Sequence, residues 1–215
     1  MFCNLAPREL ADFNAIGVQV SLPSGSILFR EDQHASGVFV ICTGQVKLSC
    51  SSRDGKTLIL KLALPGDVLG LGAVISGTGF EVTAETVEPT VLKRIRSDEF
   101  LAFLERHAQA SMHAAKALSE EYKSAFFDAR RLALSGSAAA RLASVLLDWG
   151  RVSSSGRPEI RFTMALTHEE LGNLAGTSRE TVTRTLSRFQ REGLIQIRGS
   201  SVHVLAPDRL ALLSS

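Results

Sequence analysis

The sequence lacks the features of a membrane or secreted protein. No apolar run reaches the roughly 18 residues that a membrane-spanning helix needs, and residues 1–10 have neither the basic start nor the apolar centre of a signal peptide. We therefore expect a cytoplasmic protein without a membrane partner. The three cysteines, Cys3, Cys42 and Cys50, are odd in number and lack CxxC spacing. This pattern favours reduced thiols over a disulfide framework or a zinc site, and we predict that Cys42 and Cys50 are buried.

The signatures of an enzyme are also missing. The chain contains no nucleophile motif, Walker loop, paired histidine ligands or dinucleotide fingerprint, and the GxG at Gly70–Gly72 follows a turn and does not open a βαβ unit. We expect no catalytic residues. The 215 residues leave room for two small domains with separate cores. A formal net charge of +2 is too small to indicate a polyanionic partner, so the positions of the charges must decide.

The segment from Val20 to Arg96 predicts an all-β domain. Glycine-rich turns recur about every 8 to 12 residues, as in sandwiches and barrels. Between them lie short segments rich in β-branched and aliphatic residues: SILF, VFVIC, QVKLSC, TLILKLAL, EVTAETV and TVLKRI. SRDGKT predicts a hairpin turn, because Asp-Gly accepts the positive φ values of a type I′ turn.

The segment from Ser97 to Leu134 contains neither glycine nor proline and predicts helix, with a break near Arg106 or His107. Small and apolar residues recur along it at alternating steps of four and three, which is a heptad pattern. We predict that they form a homodimer interface. The stripe comprises Leu104, Ala108, Ser111, Ala115, Leu118, Tyr122, Ala125, Ala129 and Leu132.

The alternative is that this helix packs only on its own β domain. A second stripe, Met112, Ala115, Tyr122, Phe126 and Ala129, is suited to that packing. A helix that is apolar on two sides needs two partners, so we favour one side on the β domain and the other on a second subunit.

The last third of the chain predicts two helices joined by a turn at Gly176. LSGS breaks the long helix, Ser137 can cap a helix that reaches about Trp149, and EIRFTM predicts a strand. The two helices lie in LTHEELGNLAGTSRETVTRTLSRFQREGLI. Each begins with a capping-box pattern, Thr167 with Glu170 and Thr177 with Glu180.

Arginines share one face of the second helix. A helical wheel places Val182, Leu186 and Phe189 on the buried side. The opposite arc of about 140° on this wheel holds Arg179, Glu180, Thr183, Arg184, Ser187 and Arg191. A solvated face would mix more Lys, Glu and Gln in i,i+4 pairs, whereas only Glu180 and Arg184 can pair here.

This arrangement predicts a helix-turn-helix whose second helix enters the DNA major groove. Arg can bind guanine O6 and N7 and Glu can accept from cytosine N4, which indicates a half-site that contains G·C pairs. LIQIRGSSVHVL predicts a β-hairpin wing that turns at Gly199-Ser200 and reaches phosphate through Arg198. The DNA-contacting candidates are Thr177, Ser178, Arg179, Glu180, Thr183, Arg184, Ser187, Arg188 and Arg198.

These residues resemble the Crp/Fnr family of bacterial transcription regulators over nearly the whole chain. The two-helix segment is similar to the family's helix-turn-helix, while GSILFREDQHASGVFVICTGQVKLS and PGDVLG resemble its cyclic-nucleotide-binding-type β-roll. The family's base-contacting pattern falls on Arg179, Glu180 and Arg184. The resemblance implies a homodimer on palindromic double-stranded DNA with TGTGA-like half-sites, and recruitment of RNA polymerase.

The fold class expected is therefore α+β. We expect a β-roll of the jelly-roll type over residues 1–103, a dimerisation helix over 104–134 and a winged helix-turn-helix over 135–215. A second interpretation is a signalling module whose helix-turn-helix contacts proteins instead of DNA. Binding that weakens steeply with salt would favour the DNA interpretation.

The effector positions implied by the resemblance depart from the family pattern. Cyclic-AMP-binding members have Gly-Glu-Leu at the ribose and Arg-Ser-Ala at the phosphate. Leu71 cannot accept a hydrogen bond from a ribose hydroxyl, Glu81 would repel a phosphate, and no arginine lies between Arg53 and Arg94. We therefore do not expect cyclic AMP; an apolar effector, a protein-level signal and constitutive DNA binding stay open. The corresponding residues here are Gly70, Leu71, Gly72, Phe80, Glu81 and Val82.

We expect no cofactor and no metal. Iron–sulfur members of the family use several closely spaced cysteines, which Cys3 alone cannot supply. Haem-binding members need an axial His or Cys. His34, His107 and His113 are each isolated, as is typical of surface or capping histidines.

Overall fold

The computed structural model describes residues 5–52, 57–134, 137–154 and 160–213, with side chains for all of these except 127–134 and 151–154. The chain divides into two compact units, residues 1–126 and 127–215. An antiparallel β-sheet domain comes first, a long helix follows, and a helix-turn-helix domain ends the chain. This architecture confirms the predicted α+β fold class.

Two four-stranded sheets form the β-roll of the first unit. Their strand orders are β1-β8-β3-β6 and β2-β7-β4-β5, and neighbouring strands pair antiparallel. The Asp54-Gly55 turn predicted between β4 and β5 lies outside the described residues. The strands are Val18–Leu22 (β1), Ile27–Phe29 (β2), Gly37–Thr43 (β3), Val46–Ser51 (β4), Thr57–Ala63 (β5), Val68–Leu69 (β6), Thr83–Thr86 (β7) and Thr90–Arg96 (β8).

Aromatic rings fill the centre of the roll. Phe80 stacks on Phe29 with ring centroids 3.8 Å apart, and Phe39 is tilted against both rings. Gly70, in the left-handed conformation at φ 76°, lies directly against this cluster: a Cβ there would lie 2.6 Å from the Phe80 ring. A side chain at this position would therefore be strained by its backbone and would also displace the ring.

Four helices complete the first part of the chain: Pro7–Ala15 (α1), Leu71–Ser76 (α2), Ser97–Arg106 (α3) and Ala108–Leu134 (α4). The predicted break in the long helix is confirmed at His107, whose backbone is extended. Ala110 and Ala114 of α4 are buried, and Leu118 packs against the same apolar core as the roll. The roll therefore covers one face of α4 between residues 110 and 118.

The second unit holds a three-stranded sheet of order β10-β11-β9 among helices. Ser137 caps α5 as predicted, accepting a hydrogen bond from the Ala140 N–H at 3.1 Å. Trp149 meets Phe162 edge-on at 5.9 Å, which joins α5 to the sheet. The elements are Ala138–Ser154 (α5), Ile160–Thr163 (β9), His168–Ala175 (α6), Arg179–Arg191 (α7), Ile195–Arg198 (β10), Ser201–Val204 (β11) and Pro207–Leu213 (α8).

Two expectations about side-chain burial are wrong. Cys42 is exposed, because a register shift between Ile41 and Thr43 leaves Ile41 in the core and turns the neighbouring Cys42 outward. Cys50, near the end of β4, is half-buried. Cys3 lies outside the described residues. The second stripe of α4 does not pack on the roll either: Met112, Ala115, Tyr122 and Phe126 are exposed, and Ala129 is a residue whose side chain is not described.

Candidate functional site

Helix α7 has the two faces that its sequence predicts. Val182, Leu186 and Phe189 are buried. Arg179 and Arg184 therefore project from the first two turns of a helix whose other side is fixed in the core. The exposed face carries Arg179, Glu180, Thr183, Arg184, Ser187 and Arg191.

A tight turn joins α6 to α7. Gly176 lies in the left-handed region at φ 59°, and its N–H and that of Thr177 both donate to the carbonyl of Gly172. A Cβ on Gly172 would lie 2.7 Å from the carbonyl oxygen of Thr177. Glycine is thus needed at Gly176 for its conformation and at Gly172 for the close approach of the two helices.

Both helices are capped, one of them at a different residue from the one predicted. Thr167 and Glu170 form the expected capping box on α6, with hydrogen bonds of 3.2 and 2.9 Å. Ser178, not Thr177, caps α7 by accepting a bond from the Thr181 N–H at 3.3 Å. The Thr177 N–H closes α6 instead, so Thr177 belongs to the turn and the cap moves one residue along the chain.

The carboxylate of Glu180 is held in its charged form. A hydrogen bond from its own backbone N–H lowers the pKa of Glu180 most, the Ser178 hydroxyl lowers it further, and the positive charges of Arg179 and Arg184 contribute less. An ionised carboxylate is an acceptor only, which suits an amino group such as cytosine N4. The face thus presents donors on both sides of one fixed acceptor.

Thr183 is already engaged within the protein. Its hydroxyl donates to the carbonyl of Arg179 at 3.0 Å and lies 2.9 Å from Nδ1 of His168. The Thr183 hydroxyl has a single proton, so Nδ1 of His168 is the donor in the second bond whenever that proton is given to the Arg179 carbonyl. His168 therefore joins the start of α6 to the exposed face of α7, a role that no sequence pattern indicated.

Arg188 differs from the other arginines of α7. It is half-buried, and its guanidinium lies 5.5 Å from the ring centre of Phe189. Its Nε lies 3.7 Å from the Glu192 carboxylate, so the expectation that only Glu180 and Arg184 could form an i,i+4 pair is wrong. Arg191, one turn nearer the end of the helix than Ser187, is exposed. The structure thus places Arg188 at the edge of the face, where its charge is partly balanced.

The predicted wing is present as the hairpin β10–β11, which turns at Gly199 and Ser200. Arg198 is exposed at its tip. The edge strand β10 is fixed to α7, because Oε1 of Gln190 accepts a hydrogen bond from the Ile197 N–H at 3.1 Å. Gln190 was not among the residues that the sequence indicated, since the contact depends on where the chain returns after Gly193.

A cavity of about 340 Å³ lies in the first unit between the roll and α4. Its floor is apolar and its rim is charged. Lys61 forms an ion pair with Asp67 at 3.3 Å, so the one roll lysine on the rim is already balanced. The lining residues are Leu48, Lys61, Asp67, Val68, Leu69, Leu71, His113, Lys116, Ala117, Glu120, Glu121 and Ser124.

Carboxylates crowd one side of this cavity. Loss of contact with water raises the pKa of Glu121, Lys61 lowers it, and the charges of Glu81 and Asp67 raise it. Glu121 is still exposed as a whole residue, so solvent screens these interactions. An anionic ligand in the cavity would be repelled by these carboxylates.

The residues predicted for the effector pocket do not line one common cavity. Leu71 lines the cavity but is buried, and Phe80 belongs to the aromatic cluster of the roll. Glu81 is exposed, and its carboxylate comes near Gly72, where an added Cβ would lie 3.6 Å from Oε1. Gly70 lies against Phe80, and Val82 is half-buried beside the core.

The predicted dimer stripe of α3 and α4 is divided between two environments. Leu104 and Leu118 are partly buried against the roll core. Ala108, Ser111, Ala115, Tyr122 and Ala125 are exposed, and the side chains of Ala129 and Leu132 are not described. Together with Met112 and Phe126, the exposed members leave an apolar face on α4.

The three histidines considered as haem ligands lie apart. His34 is exposed at a bridge to Gly79, His107 contacts Glu9 and Asp12 of α1, and His113 lines the cavity. Within the described part of the chain, no group of three or more His, Cys, Asp or Glu side chains is suited to hold a metal ion. In the same part, none of the helices is long and apolar enough to cross a membrane.

Two family models match most of the chain. A Crp-like helix-turn-helix domain matches residues 140–213, and a cyclic nucleotide-binding domain matches residues 19–107. The first match covers α5 to α8, and the second covers the roll and α3.

Known proteins resemble the chain over nearly its whole length. The transcriptional activator protein Anr of Pseudomonas aeruginosa is 28% identical over 90% of this chain and 79% of its own. A CRP-like cAMP-activated global transcriptional regulator of Mycobacterium tuberculosis is 24% identical over 98% of this chain and 94% of its own. The structure of FixK2 from Bradyrhizobium japonicum superimposes with a TM-score of 0.85 at 23% identity, covering 93% of this chain and 98% of that one; at this identity it shows the fold alone.

Proposed function

Because the chain belongs to the Crp/Fnr family of DNA-binding transcription regulators, we propose that it acts as a homodimer on palindromic DNA with TGTGA-like half-sites. The observation that carries this proposal is the exposed face of α7, on which Arg179, Glu180 and Arg184 follow a tight turn and a capped N-terminus. We also propose that the protein works in the cytoplasm and recruits RNA polymerase, as its family resemblance implies.

The direct test of the DNA contact is an unbiased selection. The protein is incubated with random double-stranded DNA, bound sequences are recovered, and the affinity of the preferred site is measured over a range of salt concentrations. We expect a palindrome with G·C pairs in each half and binding that weakens steeply with salt, because arginines displace counterions from phosphate. A protein-contact module would give neither a preferred sequence nor that slope.

The dimer is supported by the exposed apolar face of α4. Tyr122 is 73% exposed, Phe126 61% and Met112 57%. Large apolar side chains exposed together on one helix are a feature of interaction sites in proteins. Two recognition helices must also lie about 34 Å apart to read successive major grooves, and a symmetric dimer through a helix provides that spacing.

We propose that cyclic AMP is not the effector. Relatives of this chain include a cAMP-activated regulator, so family membership alone does not exclude cyclic AMP. The argument therefore depends on the side chains at the predicted pocket. The side chains of Leu71 and Phe80 are buried in the roll and are apolar, while the lining of the cavity carries the carboxyl groups of Asp67, Glu120 and Glu121, which do not favour a phosphate. A phosphate removed from water without charged donors is strongly disfavoured.

Thermal unfolding with cyclic AMP at millimolar concentration tests this proposal. A ligand that binds the native state alone must raise the melting temperature. We expect no shift, and no change in DNA affinity. A saturable rise of several degrees would show that another group holds the phosphate; Lys61→Ala, Lys116→Ala and His113→Ala would then identify it.

A further inference from the structure

Arg141 connects helix α5 to the turn that precedes α7. It lies one turn into α5, and its side chain is half-buried. Its Nε donates to the carbonyl oxygen of Ala175 at 2.6 Å, and its Nη2 donates to that of Gly176 at 3.1 Å. Ala175 is the last residue of α6, and Gly176 is its C-cap. One guanidinium thus holds two consecutive carbonyls of the turn.

These two bonds provide hydrogen-bond donors to carbonyls at the end of α6. The last carbonyls of a helix have no partner within it and carry partial negative charge. In this turn the N–H groups of Gly176 and Thr177 both donate to the Gly172 carbonyl, and the guanidinium of Arg141 donates to the carbonyls of Ala175 and Gly176. A bond from a charged guanidinium is shorter and stronger than one between neutral groups, and its planar fork fixes direction as well as distance.

The Gly176 carbonyl lies just before the start of α7. Ser178, two residues later, is the N-cap of α7, and Arg179 is its first residue. Helix α5 packs against both α6 and α7. By holding the turn against α5, Arg141 therefore restricts the orientation of α7 relative to α5. That orientation sets the direction in which Arg179, Glu180 and Arg184 project from the surface.

We propose that Arg141 is a positioning residue for DNA recognition: it orients the reading face of α7 through the Ala175 and Gly176 carbonyls and does not itself contact bases. This inference rests on the proposed DNA-binding function. It adds a residue on a different helix, outside the helix-turn-helix segment, to those that decide sequence preference.

The test compares Arg141→Met with Arg141→Lys in the full-length protein, well below the melting temperature of both. The preferred site and its single-base-pair variants are titrated with each protein. We expect Arg141→Met to discriminate between them about tenfold less well, as the loss of charge-assisted bonds predicts. Arg141→Lys should retain part of the preference, because an ammonium keeps the charge but not the fork. Affinity for random DNA should stay nearly unchanged in both.

Sequence preference separates positioning from stabilisation. If Arg141 only stabilised the fold, Arg141→Met would lower the melting temperature while the folded protein kept its full preference, and the proposal would be overturned. The double variant Arg141→Met with Arg179→Ala gives a second readout. If Arg141 acts by placing Arg179, the two losses combined should be smaller than their sum, and additive losses would contradict the proposal. A wild-type protein without any preferred site would instead refute the proposed function itself.

Discussion

The two units of this protein use chemically important positions in opposite ways. In the second unit the side chains that can bind a partner, Arg179 and Arg184, stand at the surface, and buried neighbours such as Phe189 hold their helix in place. In the roll, Leu71 and Phe80, for which the family resemblance predicts an effector pocket, are themselves core residues. In the second unit, the residues proposed to bind DNA are therefore different from those that stabilise the fold, whereas in the roll the predicted pocket positions Leu71 and Phe80 contribute to stability.

This difference limits how each unit can respond to substitution. Changes on the exposed face of α7 should alter what is bound while leaving the fold intact. Changes at the predicted pocket positions Leu71 and Phe80 should lower stability first, because a close-packed core adjusts only partly to lost volume. The comparison can therefore be tested by measuring stability and DNA preference separately for each variant.

The largest effect is expected at Phe80. Phe80→Ala removes a ring that stacks on Phe29 and contacts Gly70, and it should lower the free energy of unfolding by about 3–5 kcal/mol. Phe80→Leu, which keeps most of the apolar volume, should cost much less. Chemical denaturation measures both. The folded fraction of Phe80→Ala should retain the DNA preference of the wild type; a changed preference would show that the roll core and the reading helix are not separate.

A smaller effect is expected at Tyr122 on the exposed face of α4. Tyr122→Asp would place like charges opposite each other in the proposed dimer, and affinity for the two-half site should fall about 100-fold because each half is then bound alone. Tyr122→Phe is the matched control and should behave as wild type. Sedimentation measures the oligomeric state. Unchanged dimers of Tyr122→Asp would place the interface elsewhere on the protein.

The sequence predicts the second unit in more detail than the first, for a physical reason. The turn at Gly176, the capping box at Thr167 and the two faces of α7 depend on neighbours within one or two helical turns. Such local preferences are written in a short window of sequence. The cap of α7 was misplaced by one residue, because the Thr177 N–H could be assigned only once the end of α6 was known.

Features formed by distant residues escaped prediction. Strand β1 pairs with β8, which lies more than 60 residues later in the chain. Helices α1 and α2 have no strong sequence pattern. The cavity is lined by residues of strands β4, β5 and β6 and of helix α4. The same holds for Arg141, Gln190 and His168, whose contacts all cross between elements. The face of α4 that meets the roll was likewise assigned wrongly, since two apolar stripes on one helix do not say which partner each one meets.

A loss of specificity without loss of stability is expected for Arg179→Ala. Its exposed guanidinium lies in the first turn of α7, so the variant should bind the preferred site about 1–3 kcal/mol more weakly and relax preference at one G·C pair. The melting temperature should stay within error of wild type. Arg209→Ala, an exposed arginine on α8, is the control. An equal loss on every DNA sequence would mean that Arg179 contacts only phosphate.

A substitution of Ser178 should change stability and DNA preference together. Its effect should be the smallest among the substitutions of Phe80, Tyr122, Arg179 and Ser178. The Ser178 hydroxyl caps α7 through the Thr181 N–H and also helps to hold the Glu180 carboxylate, so Ser178→Ala should cost about 1 kcal/mol of stability and weaken site preference slightly. Ser178→Asn keeps a neutral cap and should restore stability; Ser178→Asp should restore it too, but with weaker DNA binding, because a second negative charge then faces phosphate. Thr177→Ala, at the residue that the sequence pattern had marked as the cap, should be nearly neutral. Denaturation and DNA titration on all four variants measure the two effects, and a larger loss for Thr177→Ala than for Ser178→Ala would contradict the assigned cap.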